Sequence, residues 1–377
     1  MKKLFLLLLI NLLSYTLIFA QKTEGLPIDD EERTEWHTLF NKKPEWYQTI
    51  EARRVADNML LLQRSWGGWP KNINVARHFN ETEIKEIQNE KNKKDATIDN
   101  GTTFTHLRFL AKMVKATSDD NYRNAFTKGF EYLIEAQYEN GGWPQFYPLR
   151  KGYYSHITFN DDAMTGVLFL MKDIADRQPD FSFLTEEQIQ KAQISLNKGI
   201  EVVLKTQIEI DGKLTGWCAQ HDELTLLPDK ARSYELASIS GKETVTVLEF
   251  LMSLENPSDE IKQSIISACN WFIDSKISGY NLEYIPDSTA SEGFNRFLVK
   301  DSTGPDLWAR FYSIETGKPL WVDRNGIIRE NHSDISPERR NNYSYVEQFA
   351  HELLIHEFPE WKKKNGIENS LPSVNDK

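Results

Sequence analysis

Two short motifs place oxygen-rich side chains where they could share a cation. One is Asp99-Asn100, within Thr97-Ile98-Asp99-Asn100-Gly101-Thr102-Thr103; the other is Asn160-Asp161-Asp162, within Phe159 to Met164. Carboxylates and amides without a companion cluster of Cys or His are hard oxygen ligands, which suit calcium rather than zinc. Asp99, Asn100, Asp161 and Asp162 are therefore candidate metal ligands. The simpler alternative is that each caps the helix that follows it, satisfying free N–H groups of the first turn. Acidic motifs at corresponding repeat positions favour a cation, because carboxylates brought together repel unless they are neutralised.

Arginines supply the opposite charge. Arg232 lies in Ala231-Arg232-Ser233-Tyr234-Glu235, Arg310 in Trp308-Ala309-Arg310-Phe311-Tyr312, and Arg324 in Asp323-Arg324-Asn325-Gly326. Such residues either form Asp–Arg ion pairs or line a cleft that grips carboxylate-bearing ligands through two-pronged contacts, with calcium bridging. His221-Asp222 is a further acid–base pair, although a loop His is more often structural.

These residues need a scaffold, and the chain repeats itself to provide one. Gly67-Gly68-Trp69-Pro70 recurs as Gly141-Gly142-Trp143-Pro144, and Gly216-Trp217 follows at the same spacing. An amphipathic stretch ending in Gln63, Gln137 or Gln207 precedes each tryptophan, and a long polar loop and a second helix follow it. The pattern predicts inner–outer helix pairs over 99–117 with 120–138, 160–176 with 186–207, and 241–254 with 258–275. Segments 49–64 and 341–356 close the ring. A repeat that buries its apolar faces against its neighbours points to an α/α toroid, with a plain bundle or open solenoid as the alternative. All long loops then fall on one face, at the starts of the inner helices, and loops of that length are usually functional. Residues 276–340 break the period, and an Asn325-Gly326 turn predicts a small β-hairpin insertion there.

The boundaries read as a signal peptide over 1–20, a lead-in over 21–44, the working domain over 45–361 and a polar tail over 362–377. The first segment joins a Lys2-Lys3 start to an apolar run ending at Ala20. Export to the periplasm or outside the cell follows, and no later run is apolar enough to span a membrane. Export would permit a Cys218–Cys269 disulfide. Against 45 Lys and Arg stand 56 Asp and Glu, a net charge of −11. That balance excludes a nucleic-acid binder. We read the mature chain as a monomer.

Taken together these motifs resemble the family 10 pectate lyases over roughly residues 45 to 361. To those above are added Trp217-Cys218-Ala219-Gln220-His221-Asp222 and the run from Pro228 to Glu235. The resemblance implies an (α/α)3 toroid that cleaves polygalacturonate by β-elimination, with calcium at the substrate carboxylates. It implies that Asp99 and Asp161 serve the calcium site, that Arg232 is the base, and that Arg310 and Arg324 hold substrate carboxylates. Asn160, Trp217 and His221 are grouped with them as substrate contacts. An arginine base needs a deprotonated fraction that is tiny at neutral pH, so the implied reaction favours alkaline buffer. The Gln-x3-Gly-x-Trp spacing also fits terpene cyclases, but their Asp-x-Asp-Asp acid is missing. An inverting glycoside hydrolase on an α/α barrel and a non-catalytic uronate binder are the other rivals.

Overall fold

The structure, a computed structural model, describes residues 39–367. The expected signal peptide, and most of the expected lead-in and tail, lie outside the described residues. Eight helices carry the architecture: α1 Ile50–Leu62, α2 Glu81–Asn89, α3 Phe104–Thr117, α4 Asp120–Ala136, α5 Ala163–Ala175, α6 Glu186–Thr206, α7 Glu243–Met252 and α8 Asp259–Ser275. α3 pairs with α4, α5 with α6 and α7 with α8, while α3, α5 and α7 pack against one another in turn. This is the three-hairpin toroid expected from the repeat. The inner helices are apolar on several sides because they have neighbours on several sides: Leu107, Phe109, Leu110 and Met113 of α3, Val167, Leu168, Leu170 and Met171 of α5, and Val247, Leu248, Phe250 and Leu251 of α7 are all buried.

The Gln and Trp of the repeat tie the outer layer together. Gln63 Nε2 donates to Gly67 O and to Ala125 O in α4; Gln137 Nε2 donates to Gly141 O and to Ser195 O in α6; Gln207 Nε2 donates to Thr215 O and to Ser264 O in α8. Each amide thus closes its own turn and grips the next outer helix. The indole N–H groups of Trp69, Trp143 and Trp217 donate back to Met59, Leu133 and Val203 at 2.7–2.8 Å, and Trp308 repeats the contact with Phe272. Trp308 is therefore a fourth member of a series that the sequence shows as three. The glycines are steric requirements. At Gly141, φ is +99° and a Cβ would lie 2.0 Å from Lys198 O.

Capping falls on the other layer from the one expected. The outer helices are capped by the side chains of Asp119, Thr185 and Ser258. The inner helices α3, α5 and α7 start after Thr103, Asp162 and Lys242, with no side-chain cap. Asp99, Asn100, Asn160, Asp161 and Asp162 instead form tight 3-10 turns ahead of α3 and α5.

The small hairpin expected around Asn325-Gly326 pairs Trp321–Val322 with Ile328–Arg329. A longer one pairs Tyr280–Pro286 with Phe294–Lys300; Pro286 at its end masks the alternation of Tyr280, Leu282 and Tyr284 in the sequence. A short helix, α9, spans Pro337–Asn342. The closing helix expected over 341–356 is displaced. Val346–Glu347 is drawn into an extended pairing with Trp308–Ala309, and the final helix runs through a π-turn at Leu353–Glu357 into α10, Phe358–Lys364. That helix crosses the 361/362 boundary, and Lys362 is buried. Cys218 and Cys269 are both free and buried. Among the described residues no helix is long and apolar enough to cross a membrane.

Candidate active site

The two 3-10 turns pack against each other on the loop face. Asn100 (φ 51°, ψ 42°) and Asp161 (φ 48°, ψ 43°) share a left-handed conformation that non-glycine residues seldom adopt. By backbone geometry Asp161 therefore corresponds to Asn100, and Asp99 to Asn160. The two implied calcium aspartates are not equivalent residues of the repeat.

Each already has cationic company. Asp161 Oδ1 accepts from Lys242 Nζ at 2.8 Å and lies 3.7 Å from Arg310 Nη2, while its Oδ2 accepts from Asn160 Nδ2 at 2.7 Å. Burial alone would raise its pKa, but Lys242 and Arg310 outweigh that and hold the carboxyl at about 2. Asp99 Oδ2 accepts from Lys71 Nζ and, at 2.6 Å, from Gln145 Nε2. Lys71 and Gln145 are the residues that follow the two Trp-Pro pairs, so the repeat delivers both to one carboxylate. Asp99 Oδ1 and Gln145 Oε1 are buried without a partner among the described residues. Asn100 Nδ2 donates to Asn72 Oδ1.

The arginines are gathered by two tyrosines. Tyr343 is approached by Arg310, 4.4 Å from its ring centroid, and by Arg339, at 4.9 Å. The neighbouring Tyr234 ring is approached by Arg339 at 4.7 Å, Arg232 at 5.0 Å and Arg324 at 5.8 Å. Cations over aromatic faces are attracted by the ring, here in addition to the acids that several of them hold. Arg310 is 1% exposed; its Nη2 bonds the buried Glu243 Oε1 at 3.1 Å, and its Nε and Nη1 have no partner among the described residues. Burial works against its charge, but Tyr343, Glu243 and Asp161 outweigh it, and its pKa lies above the ordinary arginine value. Arg232 is half exposed and holds Glu235 through Nε at 2.8 Å and through Nη2. Partial burial would lower its pKa, yet Glu235 raises it above the usual value. Arg324 pairs with Glu338 at 2.8 Å.

Asn160, Asp161, Arg310 and Arg232 thus belong to one connected constellation, extended by Arg324 through Tyr234. Trp217 and His221 do not offer a surface to a ligand. Both are 0% exposed. The Trp217 indole is spent on Val203, and the His221 ring accepts from Cys218 N at Nε2 and meets Leu226 O at Nδ1. Burial lowers the His221 pKa to about 4, so the ring is neutral. Their place is in the wall that supports the site. Lys71, Gln145, Lys242, Glu243, Arg339 and Tyr343 are not singled out by the sequence motifs, and Glu235 stands in the Arg232 motif without a role assigned to it. For Lys71 and Gln145 a signal is nonetheless present, as the residue after Trp-Pro in successive repeats.

Donors suited to a metal occur at two places. The two turns carry Asp99, Asn100, Asn160, Asp161 and Asp162, all oxygen donors of the kind calcium takes, with orphaned oxygens at Asp99 and Gln145 beside them, but the Asp99, Asp161 and Asp162 carboxylates do not all come within 4.8 Å of one another. Separately, His156, Asp222 and Glu223 offer ligand atoms within 4.8 Å of one another. A nitrogen donor makes the second set less suited to calcium, and Asp222 Oδ1 is already engaged by Leu224 N, Thr225 N and Thr225 Oγ1.

No curated protein matches the chain. Among solved structures it is similar to a family 10 polysaccharide lyase from Cellvibrio cellulosa, with 33% identity and a TM-score of 0.73, covering 86% of this chain and 95% of that one. A mutant of a family 10 polysaccharide lyase from the same organism, in complex with trigalacturonic acid, aligns with the same identity and TM-score over 96% of its length. The family model for pectic acid lyase matches residues 63–354, which hold the whole constellation. With the toroid and its arginine-lined face, these matches show that the chain belongs to the pectic acid lyase family.

Proposed function

We propose that this pectate lyase cleaves α-1,4-polygalacturonate by calcium-assisted β-elimination with Arg232 as the base, acting as a secreted or periplasmic monomer. The observation that carries the reading is the convergence of Arg310, Arg232 and Asp161 around Tyr343 and Glu235. The C5 proton lies next to the C6 carboxylate. Its removal puts further negative charge on a group already anionic, so cations must be in place before the C–H bond breaks. Arg310, itself only 1% exposed, supplies that charge from behind the surface rather than by direct contact, with Glu243 anchoring one end and the Tyr343 ring 4.4 Å away. Arg324 and Arg339 add positive charge on the Tyr234 side.

Arg232 takes the C5 proton, the C4=C5 double bond forms, and the C4–O bond breaks with its electron pair leaving on the glycosidic oxygen. Only a neutral guanidine can do this, and Glu235 disfavours the neutral form. The crowd of cations around Tyr234 and Tyr343 pushes the other way. Asp161, Asn160 and Asp162, with Asp99 and Asn100, would hold calcium, which when bound supplies positive charge at the substrate carboxylates. Trigalacturonic acid, bound by the similar Cellvibrio cellulosa protein, supports an oligogalacturonide as ligand here.

The test is to incubate the mature protein with polygalacturonate and calcium and follow the ultraviolet absorbance of the unsaturated product. New reducing ends without that absorbance would indicate a hydrolase, and no cleavage at all would leave a uronate binder.

A further inference from the structure

Resting on the pectate-lyase reading, we propose that Arg150 and Lys71, gathered around the Phe146 ring, form a distal subsite for a second uronate carboxylate of a long substrate chain. Arg150 stacks its guanidinium 4.0 Å from the Phe146 centroid, and Lys71 Nζ reaches the same ring at 5.9 Å. In a chain of net charge −11, Arg150 has no carboxylate partner among the described residues. Its one hydrogen bond to them is from Nε to Lys94 O at 3.0 Å. That bond and the ring fix the guanidinium plane while leaving both terminal nitrogens for a ligand, the geometry a carboxylate needs for a two-pronged contact.

The subsite is joined to the reacting centre by a row of rings. Phe146 meets Tyr154 edge-on at 5.4 Å, Tyr154 lies 4.2 Å from Tyr153, and Tyr153 is within the electrostatic reach of Arg232 and Glu235. All three rings belong to the loop that follows the second Gly-Gly-Trp-Pro. On the far side, Lys94 sits 5.9 Å over the ring of Trp66, which is 41% exposed. The path from Arg232 to Trp66 therefore runs across three rings to Arg150 and on to Lys94, placing cations at both ends for a polymer that carries one carboxylate per sugar. Lys71 links the subsite to the calcium turns. Its ammonium is tied to Asp99. Binding energy collected this far from the scissile bond favours long chains over short ones.

The experiment compares wild type, R150A and R150K on trigalacturonate and on long polygalacturonate, measuring kcat and KM for each. In R150A the ratio of kcat/KM on the polymer to that on the trimer falls about tenfold, mainly through KM, and R150K recovers part of it. An unchanged ratio overturns the subsite, whether or not both rates fall together. Should the wild type release no unsaturated product, the lyase reading falls instead. The subsite is then judged by calorimetric binding, where R150A must weaken a long oligogalacturonide more than the trimer or the subsite fails as well.

Discussion

The guanidinium of Arg310 lies 4.4 Å from the centre of the Tyr343 ring, and the hydroxyl of that ring donates to Glu235 at 2.9 Å. Through this one side chain the group expected to steady the substrate carboxylate is coupled to the carboxylate that holds the expected base. Tyr343→Phe keeps the ring and removes only the hydroxyl. It should leave KM within about twofold and lower kcat about tenfold, the size of one lost hydrogen bond to a charged group. A loss confined to KM would show that the ring merely packs.

Arg232→Ala should reduce kcat by about 10³-fold, within the range for a lost general base, while calorimetry shows oligogalacturonide binding nearly intact. An Arg232→Ala enzyme with substantial turnover would remove the base assignment.

The pH profile follows from the sign of the Arg232 shift. Its pKa lies above the ordinary value because Glu235 outweighs the effect of burial, so the neutral fraction grows with every step into alkali. Log kcat/KM should climb with pH without a plateau up to about pH 10, well below the ordinary arginine pKa. Glu235→Gln removes the raising influence and should displace the rising limb to lower pH, even if the lost orientation lowers the maximum. A profile peaking near pH 5 would contradict the mechanism.

Calcium should compete with an ammonium. Lys242 neutralises Asp161 at 2.8 Å, so Lys242→Met should strengthen calcium binding by about tenfold, one charge–charge interaction in a wet cleft. Asp161→Ala should weaken it. Direct calcium titration by calorimetry reads both, independently of turnover, and equal affinities in all three proteins would place the ion elsewhere.

Three histidines should limit stability in acid. Burial holds His106 neutral with a pKa of about 3, and holds His221 and His332 at about 4. The unfolded chain takes up those protons near pH 6.5, so their contribution is complete above that value and is lost progressively as the pH falls toward 4. Tm should drop steadily between about pH 6.5 and 4. A flat Tm across that window would mean the rings are charged in the folded state.

The helical repeat is legible because it is local: apolar spacing and the Gln–Gly–Trp series are read along the chain, and the structure turns them into contacts between adjacent outer helices. The arginines are legible as residue types but not as a group, since Tyr343 and Arg339 come from α9 and the segment just after it, far from Arg232 in sequence. Trp217 and His221 mislead for a related reason. An aromatic or a histidine in a functional motif looks alike whether it faces the cleft or braces the wall behind it. The capping expectation fails at Asp99 and Asp161 because side chains with a cation in reach have a stronger partner than a backbone N–H.

Most of the cleft's arginines already sit on an acid: Arg232 on Glu235, Arg310 on Glu243 and Arg324 on Glu338. A substrate carboxylate arriving at Arg232 or Arg324 must therefore displace a resident one, and binding there is a carboxylate exchange rather than a neutralisation. Fewer small ions are released than the number of arginines suggests, so affinity for short oligomers should depend only weakly on ionic strength. An acidic protein can then hold an acidic polymer in salty surroundings. The steepest salt dependence should come from cations such as Arg150, which has no resident carboxylate among the described residues to give up.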